Sequence, residues 1–183
     1  MQGETLENIK FGTDGWRGII GFDFNLSNLS KVVVASCQEL NYQYFKETNS
    51  KKILIGYDRR FMANEFAKEI AFFVKGCGFE PVLSNSFVPT PSCSLYVKEF
   101  RFLGCLVITA SHNPYNWLGL KIKSFKGCSV DESFTREVEK RLLLGNAIER
   151  SYISYEKVDI KKFHLDQIKS NFNVDFIFKK LKK

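Results

Sequence analysis

Short apolar runs alternate with longer amphipathic stretches through most of the chain. Buried β-strands are predicted from length and apolar content at KKILIGYD (51–58), EPVLSN (80–85) and GCLVITA (104–110). Helices are predicted where apolar residues recur at helical spacing, in NLSNLSKVVVASCQELNYQYFKE (25–47), ANEFAKEIAFFVKGCGF (63–79) and TPSCSLYVKEF (90–100). This alternation predicts a layered α/β/α domain in which helices flank a mostly parallel mixed sheet.

Residues that favour helix ends mark the borders of these elements. Asn25 and Asn28 are interpreted as helix-start residues, and Ser30 or Asn28 is the predicted N-terminal cap of the first helix. Thr90 is the predicted cap of the third. Gly78 is expected to end the second helix. Two more elements are predicted further on, a strand at GLKIKSF (119–125) and an amphipathic helix at DESFTREVEKRLL (131–143).

Length and charge set the domain organisation. The 183 residues, 44% of them hydrophobic, fit one domain at 1–145 followed by a lysine-rich linker or helical tail at 146–183. Eight lysines and four acidic residues in 151–183 account for four of the seven net positive charges. The remaining charge is diffuse, which is a weak signal for nucleic-acid binding, so a nucleic-acid partner is disfavoured.

The cysteines and the first thirty residues bear on the compartment. The five cysteines are odd in number and show no C-x-x-C spacing, which favours buried thiols over disulfides or zinc; they are Cys37, Cys77, Cys93, Cys105 and Cys128. The chain does not begin with a basic segment followed by an apolar one, and no apolar run approaches the ~18–20 residues of a membrane span. These features predict a cytoplasmic chain with no membrane partner.

The stretch LVITASHNPYNWLGLKIK (106–123) places Ser111 just beyond a predicted strand, where open α/β sheets form their sites. A polar turn is the alternative. Serine-hydrolase chemistry is disfavoured, because Ser111 and His112 would point to opposite sides of an extended segment and no G-x-S-x-G elbow is present. Phosphoryl transfer needs a hydroxyl among cations and hydrogen-bond donors, and Ser111, His112, Asn113 and Lys121 supply these types.

A second cluster, FGTDGWRG (11–18), spaces three glycines by three residues. It matches neither nucleotide-binding glycine pattern. Its glycines would let the backbone approach an anion, and Arg17 could fork onto phosphate oxygens; a tight loop with a solvated Arg17 is the alternative. The end of the strand at 51–58 carries Asp58, Arg59 and Arg60, which are interpreted as structural ion pairs.

Taken together, the octapeptide at 11–18, Thr-Ala-Ser-His-Asn-Pro at 109–114 and Gly-Leu-Lys at 119–121 resemble the first domain of the α-D-phosphohexomutases, which include phosphoglucomutases and phosphomannomutases. The resemblance implies an isomerase in which Ser111 is the phosphorylated nucleophile and exchanges its phosphate with a hexose 1- or 6-phosphate through a hexose 1,6-bisphosphate. It places Arg17, His112 and Lys121 around the phosphate, with Lys121 a candidate for proton transfer. It also implies Mg²⁺, with Ser111 as a ligand through its phosphate.

The chain departs from that family in what it lacks. It contains no Asp-Gly-Asp metal loop, no sugar-selecting loop and no C-terminal phosphate-binding loop. The remaining Mg²⁺ ligands and the choice between glucose and mannose are therefore expected in absent domains, and the fragment is expected to fold but to turn over little. The alternative function is a non-catalytic module that senses a sugar phosphate or pairs with a partner.

Overall fold

The computed structural model describes residues 9–13, 15–145, 151, 154–172 and 174–181. These residues form seven strands: β1 (Phe11–Gly12), β2 (Gly15–Ile19), β3 (Lys52–Tyr57), β4 (Glu80–Ser84), β5 (Gly104–Ile108), β6 (Trp117–Ser124) and β7 (Glu156–Val158). The helices within the described ranges are α1 (Leu26–Thr48), α2 (Ala63–Gly76), α3 (Thr90–Glu99), α4 (Glu132–Leu143), α5 (Ile160–Asn171) and α6 (Val174–Leu181).

All seven strands lie in one mixed sheet, in the order β1-β2-β6-β5-β3-β4-β7. The four strands β5, β3, β4 and β7 run parallel to one another. Helix α2 connects β3 to β4, and α3 connects β4 to β5. The strands β1, β2 and β6 join this parallel core through antiparallel pairs. The predicted α/β fold, a mixed sheet with a parallel core between helices, is confirmed.

Side chains alternate between two buried layers along the central strands. Ile53 and Ile55 of β3 belong to a large core with α1, α2 and α4, whereas Leu54 belongs to a smaller core with α3 and α5. In β5, Leu106 and Val107 divide between the same two cores. Because both faces of these strands are covered, their sequences read as continuous apolar runs rather than as an alternation.

Two of the predicted helix caps are wrong. The side chain of Asn25, rather than that of Asn28 or Ser30, accepts a hydrogen bond from the Asn28 N–H and caps α1. Thr90 is the first residue of α3, because the extended residue before the helix is Pro89. The prediction for Gly78 is confirmed: it follows α2 with a φ of 82°, which glycine adopts without strain.

The glycine cluster and the tail extend the sheet at its two edges. The segment at 11–18 forms the β1–β2 hairpin, and β2 pairs with β6, so this segment is itself a strand rather than a loop ahead of one. At the other edge β7 pairs with β4, and Ile160 of α5 is fully buried. The predicted boundary after residue 145 falls beside 146–150, which lie outside the described residues, and it stays a prediction.

The predictions for the cysteines are largely confirmed. All five cysteines are unpaired; Cys37, Cys93 and Cys105 are buried as predicted, whereas Cys77 is half-buried and Cys128 is exposed. Burial raises the pKa of the Cys105 thiol well above its ordinary value, and its contact with Cys93 adds to this effect. Among the described residues, no helix combines the length and apolar content that crossing a bilayer requires.

Candidate active site at the end of strand β5

The loop at 111–117, the serine loop, follows β5 and presents Ser111 to solvent. Its side chain is exposed, and its backbone has a φ of 55°, in the left-handed region that residues other than glycine rarely adopt. The Ser111 N–H donates to Thr109 Oγ1 at 3.0 Å, and the Asn113 N–H donates to the Ala110 carbonyl at 3.0 Å. A left-handed non-glycine residue persists only where its surroundings hold it, and such residues are common at functional sites.

Arg60 contacts this loop from the end of β3. Its two Nη atoms donate four hydrogen bonds of 2.7–3.2 Å to loop carbonyl oxygens, those of Ser111, Asn113, Pro114 and Trp117. Its Nε lies 3.5 Å from Oδ2 of Asp58, and its side chain is only 15% exposed. The interpretation of Asp58 and Arg60 as an ion pair at a strand end holds, but it missed that Arg60 binds the serine loop.

Arg17 and Lys121 lie on the same face of the sheet beside this loop. In the β2–β6 pair, Arg17 is opposite Gly119 and Gly15 is opposite Lys121, so the side chains of Arg17 and Lys121 project from one face of the sheet. Arg17 Nη1 donates to Asn113 Oδ1 at 3.3 Å, which connects β2 to the serine loop. The structure therefore brings Arg17 and Lys121 to the same part of the molecule as Ser111.

Two glycines permit the close approach of β2 and β6 at this point. A Cβ on Gly15 would lie 2.1 Å from the Leu120 carbonyl oxygen, and one on Gly119 would lie 2.6 Å from that of Trp16. Next to them an open cleft of about 180 Å³ is lined by Lys10, Gly12, Thr13, Gly15 and Arg17. The cleft has two cationic side chains, and a small anion is the kind of ligand that such a lining favours.

The prediction that the side chains of Ser111 and His112 point to opposite sides is wrong. Its Nδ1 lies 3.5 Å from Ser111 Oγ, so the two side chains are not on opposite sides of the chain. The prediction assumed an extended backbone, whereas the left-handed φ of Ser111 turns the two side chains toward each other. A separation of 3.5 Å is at the outer limit of a hydrogen bond, and the exposed imidazole is close enough to contact a group bound to Ser111.

The described residues do not provide a complete Mg²⁺ site. The described residues contain no group of three histidine, cysteine, aspartate or glutamate side chains able to hold a metal ion. Mg²⁺ prefers about six oxygen ligands in octahedral geometry, and Ser111 would provide one ligand only after phosphorylation. These residues alone therefore do not fit a Mg²⁺ site.

Comparison with known families agrees with the motifs. Residues 8–146 match the family model described as "Phosphoglucomutase/phosphomannomutase, alpha/beta/alpha domain I". The match covers well over half of the chain and includes Ser111, Arg17, Arg60 and Lys121. The chain belongs to the phosphoglucomutase/phosphomannomutase family and contains the first domain of that family.

Two relatives and one solved structure illustrate the extent of the similarity. The chain is 32% identical over 129 residues to the phosphoglucosamine mutase of Finegoldia magna, which covers 70% of this chain and 27% of that protein. It is 31% identical over 159 residues to a phosphoglucomutase of Staphylococcus aureus, covering 81% and 28%. A Thermus thermophilus structure described as a phosphomannomutase superposes with a TM-score of 0.81 and 28% identity, covering 91% and 37%. The chain thus spans between about a quarter and two fifths of the length of these relatives.

Proposed function

We propose that the chain is the nucleophile-bearing domain of a phosphohexomutase, and that Ser111 alternately receives and gives a phosphoryl group. The observation that carries the proposal is the exposed Ser111 side chain, whose own backbone is in the left-handed region beyond the carboxyl end of β5, with Arg17 hydrogen-bonded to the same loop. In the complete enzyme the substrates would be hexose 1- and 6-phosphates, and the compartment would be the cytoplasm.

The proposed step is a phosphoryl transfer between two oxygens. A hydroxyl oxygen of the sugar phosphate attacks the phosphorus on Ser111, a new P–O bond forms, and the bond from phosphorus to Ser111 Oγ breaks. The hydroxyl proton of the sugar ends on Ser111 Oγ, and Lys121 is the proposed carrier for it. The product is a hexose 1,6-bisphosphate, which turns over and returns its other phosphoryl group to Ser111 by the reverse step.

The neighbouring side chains would stabilise the charge on the transferring group. A phosphoserine carries about −1.5 to −2 charges at pH 7, which favours the guanidinium of Arg17 and the imidazole of His112 as partners. Lys121 projects from the same face as Arg17 and adds a second cation. The family resemblance implies a Mg²⁺ ion with the phosphoserine as one ligand, and the other ligands would have to come from another domain.

Phosphoryl uptake by the chain tests this proposal. The 183-residue chain is mixed with the remaining domains of the S. aureus phosphoglucomutase and with glucose 1,6-bisphosphate, and mass spectrometry follows the phosphate. One phosphoryl group is expected on Ser111 and none on the Ser111→Ala variant. A wild-type chain that stays unmodified, or one modified equally in Ser111→Ala, contradicts the proposal.

The alternative of a sugar-phosphate sensor makes a different prediction for the chain by itself. A sensor has to bind its ligand without other domains, whereas a nucleophile-bearing domain shares its substrate site with them. Calorimetric titration of the chain alone with glucose 6-phosphate is therefore expected to give no saturable heat. Saturable binding at physiological concentrations would favour the sensor.

A further inference from the structure

Arg60 makes four hydrogen bonds with the serine loop at 111–117. A guanidinium has five N–H donors. Four of them bond to carbonyl oxygens of the loop, and the fifth, on Nε, faces the carboxylate of Asp58 at 3.5 Å. The acceptors extend from Ser111 to Trp117, so one side chain connects the whole loop to the end of β3.

The contact with Ser111 itself fixes the residue that carries the reaction. Arg60 Nη2 donates to the Ser111 carbonyl at 2.7 Å and to the Asn113 carbonyl at 2.8 Å. These bonds restrict the backbone on the C-terminal side of Ser111, while the N–H of Ser111 is held by Thr109 Oγ1. Both sides of a left-handed residue are thus held, although that conformation is unfavourable for serine by itself.

Asp58 completes the arrangement by orienting Arg60. Its Oδ1 accepts the Arg60 backbone N–H at 3.0 Å, and its own N–H donates to the Ile108 carbonyl at 3.1 Å. The ends of the parallel neighbours β3 and β5 are therefore joined at the base of the loop. Charge-assisted hydrogen bonds are stronger than neutral ones, so this set gives the loop a defined shape before any ligand binds.

We propose that Arg60 is a positioning residue, which holds the loop at 111–117 so that Ser111 Oγ stays exposed in the orientation required for phosphoryl transfer. The link to phosphoryl transfer rests on the proposed function, whereas the ordering of the loop by Arg60 does not. The four Nη hydrogen bonds of Arg60 go to backbone carbonyls of the loop, so a change at Arg60 is expected to affect the rate of transfer more than the binding of the bisphosphate.

The first experiment measures the loop without any reaction. Amide hydrogen exchange is followed for Asn113 and Trp117, whose N–H groups bond to Ala110 and Pro114 within the loop, in the wild type and in Arg60→Lys. Lysine keeps the charge but lacks the planar fork, so both amides are expected to exchange at least about tenfold faster, the equivalent of about 1.4 kcal/mol.

The matched control is Arg59→Lys. Arg59 is the exposed neighbour, and its guanidinium stacks 3.7 Å from the ring centre of Phe87. The Arg59→Lys substitution is expected to leave amide exchange in the serine loop unchanged. Unchanged exchange in Arg60→Lys overturns the inference, and so does an equal acceleration of the β3 amides, because Arg60 would then support the whole fold rather than the loop.

The second experiment measures phosphoryl uptake by the same variants in the mixture with the S. aureus domains. Arg60→Lys is expected to lower the maximal rate of Ser111 phosphorylation at least about tenfold, with the half-saturating bisphosphate concentration unchanged. An unchanged maximal rate overturns the positioning role. If the wild type takes up no phosphate, the proposed function fails, whereas the exchange result still decides whether Arg60 orders the loop.

Discussion

Replacing Gly119 by alanine is predicted to separate β2 from β6 and to move Arg17. The added Cβ would lie 2.6 Å from the Trp16 carbonyl oxygen, 2.9 Å from that of Thr109 and 2.8 Å from Arg17 Cγ. Two of these atoms belong to the backbone of neighbouring segments, so they cannot rotate away as the end of a flexible side chain would. The strands themselves have to shift.

The magnitude follows from two opposing effects. Overpacking in a closely packed region costs about 1–3 kcal/mol. Alanine also restricts the unfolded chain relative to glycine, which stabilises the fold by about 0.4–1 kcal/mol. The free energy of unfolding is therefore expected to fall by about 1–2 kcal/mol, which lowers the urea midpoint by roughly 0.5–1 M for a typical dependence on urea.

Urea unfolding of three variants tests this reasoning. Gly12→Ala is the matched control, because its Cβ would meet its nearest atom, the Gly15 carbonyl oxygen, at an ordinary 3.6 Å. Gly15→Ala is expected to be worse than Gly119→Ala, since its Cβ would lie 2.1 Å from the Leu120 carbonyl oxygen and its φ is +148°. A Gly119→Ala chain as stable as the wild type would refute the close approach of the two strands.

Two further predictions concern charged residues on α4 and at its N-terminal cap. Arg141→Ala is expected to lower the free energy of unfolding in urea by about 3 kcal/mol or somewhat less, because it leaves the Glu39 carboxylate, whose side chain is 1% exposed, without its ion-pair partner at 2.8 Å. The control Lys140→Ala removes an exposed ion pair and should lower it by no more than about 1 kcal/mol. The pKa of Asp131 is lowered by hydrogen bonds from a neighbouring serine hydroxyl and a backbone N–H, so its charge stabilises the folded state above its unfolded pKa and loses this effect as the pH falls through the folded value. The stability difference between the wild type and Asp131→Asn should therefore shrink on acidification, and a constant difference in thermal unfolding from about pH 7 to about pH 2 would contradict the assigned cause.

The central strands and helices could be predicted because their signal is local. The strands β3, β4 and β5 are covered on both faces, so each is an apolar run of strand length. The pairs at the sheet edges are not local. Strand β7 joins β4 over three residues, and β1 has two, which is too short for any pattern to indicate.

The cap of α1 shows a second limit of sequence reasoning. Three candidate cap residues, Asn25, Asn28 and Ser30, lie close together, and the choice depends on how the preceding loop packs. The side chain of Asn25 donates to the Phe22 carbonyl and that of Asn28 to the Asp23 carbonyl. These contacts place the helix start at Asn25, and no propensity distinguishes it from Asn28.

The residues of the candidate site that lie in the sequence motifs could be predicted, but the residue that holds the serine loop could not. Ser111, Arg17 and Lys121 follow from the motifs, whereas Arg60 acts on a loop that begins 51 positions further along the chain. The signal that points to Arg60 is topological: the parallel neighbours β3 and β5 end at the same edge of the sheet, so polar residues after both ends meet there. The contact between Ser111 and His112 could not be predicted, because it depends on a left-handed serine.

In the proposed function, Ser111 passes a phosphoryl group on rather than merely accepting it. The most direct test loads the chain with labelled phosphate on Ser111, removes the donor, and adds unlabelled glucose 1-phosphate with the S. aureus domains. The label is expected to leave Ser111 and to appear in glucose 1,6-bisphosphate. Label that stays on the protein, or that is released only as inorganic phosphate, would contradict it.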